Sequence, residues 1–319
     1  MAERSIITIG VFDGVHLGHR ALVRRADAWR RAHAPEARIL ALAFDPHPLT
    51  RLRPQAVPAR LSTFAQRVRW LQEAGADEVE RLDPGPDLLG LEAEAFVERF
   101  LLARGVACVV EGADFRFGKG RRADCAALAE IGARRGFAVE VVDPVQVALT
   151  DATTAAASSS LVRRLLAAGR VGDASVALGR PYEMEGPVQR GDRRGRLLGI
   201  PTLNLGVSTA APRAGVYAGE VALPDGRLAP AAISVGVRPM YPDSPATVEA
   251  HLIGMGPEGP AKPNLPGLPE YGWAAQLRFC AWLRDQIAYP SAEALVAQIE
   301  RDCARALLAL QALAEPAHV

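Results

Sequence analysis

Two histidines in a glycine-rich turn are the residues of this sequence best suited to chemistry. Gly10-Val11-Phe12-Asp13-Gly14-Val15-His16-Leu17-Gly18-His19 follows an apolar run of strand length and leads directly into a segment of helical period. Such a junction suits a phosphate, because the first N–H groups of a helix have no partner within it and draw an anion. Gly10, Gly14 and Gly18 let the backbone approach a ligand closely. His16 and His19, three residues apart at the helix entrance, share a face and can both donate to phosphate oxygens. Adenylyl transfer needs little else. Where the acceptor phosphate is itself the nucleophile, the protein has to align it and stabilise charge on the α-phosphate and the departing pyrophosphate. The rival reading is zinc bound by His16, His19 and His47 with Asp13 or Asp45, a set less suited to a glycine turn at a strand end.

Three further segments belong with this turn. Phe44-Asp45-Pro46-His47-Pro48 ends a second strand and brings Asp45 and His47 to the same sheet edge as His16, with prolines stiffening the rim. Glu111-Gly112-Ala113-Asp114-Phe115-Arg116-Phe117-Gly118-Lys119-Gly120-Arg121 puts acids, two aromatics and several cations on one loop. Phenylalanine beside arginine suits an aromatic ring that carries phosphate, although a charged surface loop has the same composition. Ser158-Ser159-Ser160-Leu161-Val162-Arg163-Arg164 reads as a helix start with serine caps. Capping does not account for two arginines in a first turn, where the dipole disfavours cations unless an anion is present. Arg163 is thus the candidate triphosphate clamp.

A second constellation lies downstream. Gly186-Pro187-Val188-Gln189-Arg190-Gly191-Asp192-Arg193-Arg194-Gly195-Arg196 is a basic, glycine-rich loop able to wrap a polyphosphate, followed by Leu198-Gly199-Ile200-Pro201-Thr202-Leu203-Asn204. Thr202 and Asn204 offer neutral oxygens to Mg²⁺, a hard cation. The same loop suits a basic hairpin that binds RNA, and the residues alone leave both readings open. In Thr247–Leu252, alternation places Val248, Ala250 and Leu252 on one face and Glu249 with His251 on the other.

The chain that must position these groups has 319 residues, enough for two cores. A formal net charge of +1 gives no global attraction to nucleic acid or anionic membrane, so any anion site is local. Cys108, Cys125, Cys280 and Cys303 form no Cys-x-x-Cys pair, which fits free thiols in a reducing cytoplasm. Met1 to Ser5 is polar and Ile6 to Ile9 is too short for a signal-peptide core, so no export is expected, and no apolar stretch is long enough to span a membrane.

From Ser5 to about Gly169 the pattern reads βαβα, a parallel sheet with helices on both faces and ligands beyond the carboxyl ends of its strands. The expected strands are Ser5–Gly10, Arg38–Phe44, Ala107–Glu111 and Ala138–Val142. The expected helices are His19–Arg31, Thr63–Glu73, Glu92–Arg104 and Asp124–Arg135. After Gly179-Arg180-Pro181 the alternating stretches Val216–Leu223, Leu228–Val235, Thr247–Leu252 and Ala274–Trp282 predict a small antiparallel barrel, with Gly254–Glu270 an irregular loop. A terminal helix capped by Ser291 is expected to bury Leu295, Ile299, Ala306 and Leu310. The borders are read as 1–178, 179–314 and a tail 315–319.

Gly-x-Phe-Asp-Gly-x-His-x-Gly-His, Phe-Asp-Pro-His-Pro, Asp-Phe-Arg-Phe-Gly and Ser-Ser-Ser-x-Val-Arg together resemble the bacterial bifunctional riboflavin kinase/FMN adenylyltransferase family, in order from Ile7 to about Leu308. The resemblance implies a Rossmann-like nucleotidylyltransferase domain and a riboflavin kinase-like barrel. The implied substrates are riboflavin, FMN and ATP, with FAD as product and Mg²⁺ as cofactor. It assigns ATP to Gly10, Phe12, Asp13, Gly14, His16, His19, Ser159, Ser160 and Arg163, and the flavin of that half to Asp45, His47, Asp114, Phe115 and Phe117. Ser160 stands where threonine is more usual. In the kinase half it assigns the nucleotide to Gly186, Arg190, Gly191, Arg196, Gly199, Pro201, Thr202 and Asn204, the metal to Thr202 and Asn204, the general base to Glu249 and the flavin to Tyr217 and Arg284. Departures cluster there. Ser234-Val235-Gly236-Val237-Arg238-Pro239-Met240 replaces Asn-Ile-Gly-x-x-Pro-Thr, and Ile253-Gly254 replaces Asp-Phe. They motivate a second reading, adenylyl transfer alone with a flavin-binding or regulatory barrel.

Overall fold

The computed structural model describes residues 4–191, 195, 198–238, 245–254 and 269–315. Arg193, Arg194, Arg196 and Met240, named above, and most of the Gly254–Glu270 segment lie outside the described residues. The chain divides into two units, one of Met1–Ala59, Thr63–Ala148 and Thr154–Ser159, the other of Arg60–Ser62, Leu149–Thr153 and Ser160–Val319.

In the first unit, β1 (Ser5–Gly10), β2 (Arg38–Phe44), β3 (Glu78–Leu82), β4 (Val106–Gly112) and β5 (Ala138–Val142) form a parallel sheet in the order β3-β2-β1-β4-β5. Successive side chains enter different cores. Ile6, Ile39, Ala41 and Val110 pack with Leu22, Val23 and Ala26 of the helix Leu17–His33 and with Trp70 and Leu71 of the helix Phe64–Glu73. On the other face, Ile7, Leu40, Leu42 and Val109 meet Phe96, Val97, Leu101, Leu128 and Ile131. The expected doubly covered sheet is therefore present. β3 has no counterpart in the predicted elements because Glu78, Glu80 and Arg81 break its apolar pattern, and charge of this kind suits an edge strand. The predicted helix Glu92–Arg104 is interrupted: a turn of α-helix at Ala93–Phe96 gives way to a π-helical turn at Val97–Leu101 and a 3₁₀ turn at Leu102–Arg104. A two-stranded antiparallel ribbon of β6 (Gln146–Ala148) and β7 (Thr154–Ala156) follows β5.

In the second unit, β8 (Tyr182–Gln189), β9 (Leu203–Leu205), β10 (Gly215–Ala222), β11 (Leu228–Gly236), β12 (Thr247–Leu252) and β13 (Ala274–Arg284) close into an antiparallel barrel in the order β10-β11-β12-β9-β8-β13. β8 takes up the start of the predicted glycine-rich loop. Gly186 is required there because a Cβ would lie 1.9 Å from the Gly206 carbonyl oxygen. The helix Ala292–Ala314 begins where the Ser291 side chain accepts from the Ala294 N–H, as expected; of its expected buried stripe, Ala306 packs with Val216, Ala218 and Leu283, whereas Leu295, Ile299 and Leu310 are only half-buried. All four cysteines are free. Burial pushes the thiols of Cys108 and Cys280 up to about 12 and that of Cys303 up to about 11, and it raises Cys125 as well.

The helix Phe64–Glu73 is anchored by a capping box, in which Thr63 Oγ1 accepts from the Gln66 N–H and Gln66 Oε1 accepts from the Thr63 N–H. One residue further on, Arg67 is 3% exposed. Its Nη1 donates to the Val11 and Phe44 carbonyls, both at 2.8 Å, and its Nη2 to Asp45 at 2.6 Å. The ends of β1 and β2 are thereby fixed to one guanidinium. Arg67→Met leaves Asp45 and two carbonyls without this donor, and is expected to destabilise the sheet unit by about 3 kcal/mol, read by differential scanning calorimetry.

Candidate active sites

Between Gly10 and the helix Leu17–His33 the backbone passes through left-handed conformations at Phe12 (φ 51°), Gly14 (φ 80°) and Val15 (φ 39°). Such angles are costly for residues with a Cβ. Phe12 and Val15 are held in them because their side chains are fully packed in the core. His16 is the N-cap residue. Its ring stacks on that of His19 with centroids 3.6 Å apart, and the edge of Phe12 meets His19 at 5.2 Å. Gly18 permits this, since a Cβ there would lie 3.0 Å from the His16 ring and 3.3 Å from the Ala157 carbonyl oxygen. No acidic residue occupies the first helical turn, so the positive end of the dipole is left for an anion.

Ser159 Oγ donates to the Asp13 carbonyl at 2.7 Å. Ser159 itself is thereby joined to the phosphate turn, where its sequence position alone suggested a cap. Ser160 is exposed, and Arg163 is half-buried one helical turn after Ser159. Among the rim residues, Asp45 is taken up by Arg67 and by Arg81 at 3.3 Å, while His47 Nδ1 accepts from the Leu49 N–H at 3.1 Å. Asp114 is exposed and Phe115 half-buried. Phe117 is buried in the core, stacked on Phe115 and tilted against Phe96. Among the described residues no cluster of three or more His, Cys, Asp or Glu side chains is arranged to hold a metal ion, so the zinc set is not assembled.

The barrel site is built on one row of the strand register. Arg284 pairs with Val216, Val216 with Ser234, Ser234 with Glu249, Glu249 with Asn204 and Asn204 with Gln189, a row that crosses all six strands. Paired residues on antiparallel strands point to the same side. The neighbouring row of Tyr217, Ile233, Ala250 and Leu203 fills the barrel interior, so this one faces outward. Thr202, Glu249, Val216 and Arg284 line a pocket that Leu295 and Ile299 of the terminal helix close from the other side. Thr202 Oγ1 donates to Glu249 Oε2 at 3.2 Å, Thr247 Oγ1 to Oε1 at 2.9 Å, and Arg238 Nε lies 3.5 Å away. Two hydroxyls and a guanidinium thus orient the carboxylate. His251 shares this face, and burial lowers its pKa. Its Nδ1 lies 2.8 Å from the Pro201 carbonyl, which fixes Nδ1 as the donor.

Residues 1–155 match the family model described as FAD synthetase, and residues 178–310 match that described as riboflavin kinase. The chain is 31% identical over 303 residues to the bifunctional riboflavin kinase/FMN adenylyltransferase of Escherichia coli K12, covering 94% of this chain and 91% of that one. With the enzyme of the same name from Pseudomonas fluorescens the identity is 33% over 316 residues, 98% and 93% of the two chains. The chain belongs to the bifunctional riboflavin kinase/FMN adenylyltransferase family. A crystal structure of a Streptococcus pneumoniae protein described as a macrolide-efflux protein has the same fold, with a TM-score of 0.79 and 25% identity over 95% of this chain and 93% of that one. Among the described residues no helix of this family member is long and apolar enough to cross a membrane.

Of the residues that the family assigns to the kinase half, Thr202, Glu249, Arg284 and the strand partner Asn204 are brought together. Tyr217 is not: it is fully buried inside the barrel, its hydroxyl donates to the Arg213 carbonyl, and its ring packs against Phe279 and Trp282. Val216, one residue earlier, lines the pocket in its place. Arg190 is exposed, Gly199 has φ 73°, and Arg196 lies outside the described residues. Arg284 is gripped by Asp302, 1% exposed, which accepts from its Nε at 2.9 Å and its Nη2 at 2.6 Å. Sequence reasoning missed Asp302, although an acid three residues after Ile299 and four before Ala306 interrupts the apolar stripe. It also missed Gln286, whose Nε2 donates to Ser234 Oγ at 2.8 Å and supplies an amide beside the serine that replaces the family's asparagine. Gly191 lies directly against Asn204, because a Cβ there would lie 2.5 Å from Asn204 Nδ2. Gly191→Ala is expected to displace Asn204 and slow FMN formation from riboflavin roughly tenfold, with FAD formation from FMN unchanged, in steady-state assays.

Proposed function

We propose that the chain phosphorylates riboflavin to FMN with ATP at the barrel site and adenylylates FMN to FAD with ATP at the sheet site, releasing pyrophosphate. The observation that carries this reading is the register row that brings Glu249 beside Asn204 and Thr202, in a chain that also holds the stacked His16–His19 pair at a helix entrance. The functional borders follow as 1–178 for adenylyl transfer and 179–314 for the kinase. The riboflavin kinase match, which begins at residue 178, supports them.

At the sheet site the FMN phosphate is the nucleophile and needs no base. His16 and His19 donate to the phosphates of ATP, at the positive end of their helix, as negative charge builds on the α-phosphate and the leaving pyrophosphate. Ser159 extends the anion site, with its hydrogen bond to the Asp13 carbonyl as the support, and the family resemblance assigns Ser160 and Arg163 to the same nucleotide. Phe115, Asp114 and His47 are the rim groups open to the flavin. Asp45, engaged by two arginines, and Phe117, within the core, act by shaping that rim.

At the barrel site Glu249 accepts the proton of the ribityl hydroxyl as that oxygen attacks the γ-phosphorus of ATP, and ADP leaves. Gly186, Arg190, Gly191, Gly199 and Pro201 form the strand end and turn on which the nucleotide lies. The donor set of Thr202 and Asn204 is two neutral oxygens beside a carboxylate, which fits Mg²⁺ shared with substrate phosphates. When bound, Mg²⁺ supplies charge neutralisation at the transferring phosphate. The partners are the small molecules riboflavin, FMN and ATP. A net charge of +1 supports neither nucleic acid nor membrane as a target, and the cytoplasm is the compartment we assign. Assembly of Glu249 with Thr202 and Asn204 supports a working kinase over a barrel that only binds flavin.

Incubation with riboflavin and Mg-ATP, and in parallel with FMN and Mg-ATP, is expected to yield FAD in both, resolved by chromatography. FAD from FMN alone would leave the barrel as a binding module, and FMN without FAD would overturn adenylyl transfer. Glu249→Gln is expected to lower FMN formation by roughly 100-fold or more while FMN still becomes FAD, and His16→Ala to do the reverse. Loss of both reactions from either change in folded protein would contradict two separate sites.

A further inference from the structure

β1 and β4 are neighbours at the point where the strand order reverses, with β2 and β3 on one side and β5 on the other. In open α/β sheets ligands enter the crevice at that point, beyond the carboxyl ends of the strands. The register shows where the crevice opens. β1 pairs with β2 as far as Gly10, and β4 with β5 as far as Gly112, but β1 and β4 pair only as far as Ile7 and Val109. Past Ile7 the register pairing of β1 with β4 ends, and the Ile9 N–H donates to Glu111 Oε1 at 2.5 Å.

Glu111 is 2% exposed. Burial raises its pKa well above the carboxylate range, and the charge of Asp114 on the following loop acts in the same direction. A neutral carboxyl accepts a hydrogen bond much as an amide does, without the cost of a buried charge. In place of one direct main-chain hydrogen bond, a whole side chain lies between the two strands. The strand end that it holds continues within one residue into Gly10, Phe12 and the histidine turn.

We propose that Glu111 is a positioning residue for adenylyl transfer: inserted between the diverging ends of β1 and β4, it holds the crevice at its working width and fixes the strand end that aims His16 and His19. It acts through Ile9 and Gly10, as an acceptor and spacer. The inference rests on the adenylyl-transfer reading above, and has a readout that does not depend on it.

Glu111→Ala removes acceptor and spacer, whereas Glu111→Gln keeps both and cannot ionise. Each variant is assayed as the full chain for both reactions, and amide hydrogen exchange is followed over residues 7–12. Glu111→Ala is expected to slow FMN-to-FAD conversion at least roughly tenfold, with FMN formation from riboflavin unchanged and faster exchange over residues 7–12. Glu111→Gln is expected to stay within about twofold of the wild type in conversion and to match its exchange. Conversion at the wild-type rate in Glu111→Ala, or equal impairment in Glu111→Gln, overturns the proposal. Should the wild type make no FAD, the functional reading fails, and unchanged exchange in Glu111→Ala would still refute the holding role.

Discussion

A buried guanidinium is costly unless its charge and donors are met, and Arg67 directs Nη1 to the carbonyls of Val11 and Phe44, at the ends of β1 and β2, and Nη2 to the carboxylate of Asp45. The arrangement sets the sheet edge at which the histidine turn begins. Val11, one of its partners, directly precedes Phe12 and the left-handed backbone that only core packing sustains. The capping box at Thr63 and Gln66 fixes where the helix starts and hence where Arg67 points. Asp45, which the motif suggested as a ligand group, is held at the same node.

The barrel solves a similar positioning problem by register instead of by charge. Six strands each contribute one outward residue to a single row, so a slip of one residue in any strand would turn its member of the row inward. Closure resists such slips, because every strand is paired on both sides. The interior row headed by Tyr217 and the outward row headed by Val216 are therefore two readings of the same constraint. The terminal helix completes the outward side, with Asp302 gripping Arg284 at the end of β13.

Elements with strong local signals were legible. β2, β5 and β12 match their predicted bounds, Ser291 caps its helix as read, and Thr63 and Asp124, expected as first helical residues, are the caps of theirs. β3 and β9 were not legible, one charged and the other three residues long. β8 holds a proline and a glycine, which mimic a loop until the close approach of Gly206 is seen. In the sites, histidines and hydroxyls at fixed spacing could be read directly. Arg67, Glu111 and Asp302 could not, since their partners lie 56, 102 and 18 residues away and an isolated charge in a helix or strand predicts a solvated surface. Tyr217 and the pocket-lining Val216 differ by a single residue, the difference between the two faces of a strand.

Flavins are redox-active and react with thiolates, so a protein that makes and hands on FMN and FAD is exposed to its own product. Of the four cysteines of this chain, Cys108 and Cys280 are buried and Cys125 and Cys303 half-buried. Burial raises the thiols of Cys303, Cys108 and Cys280, which disfavours the reactive thiolate at neutral pH. None of the three offers oxidised flavin a nucleophile. The enzyme thereby holds these thiols back from the electron carrier it produces.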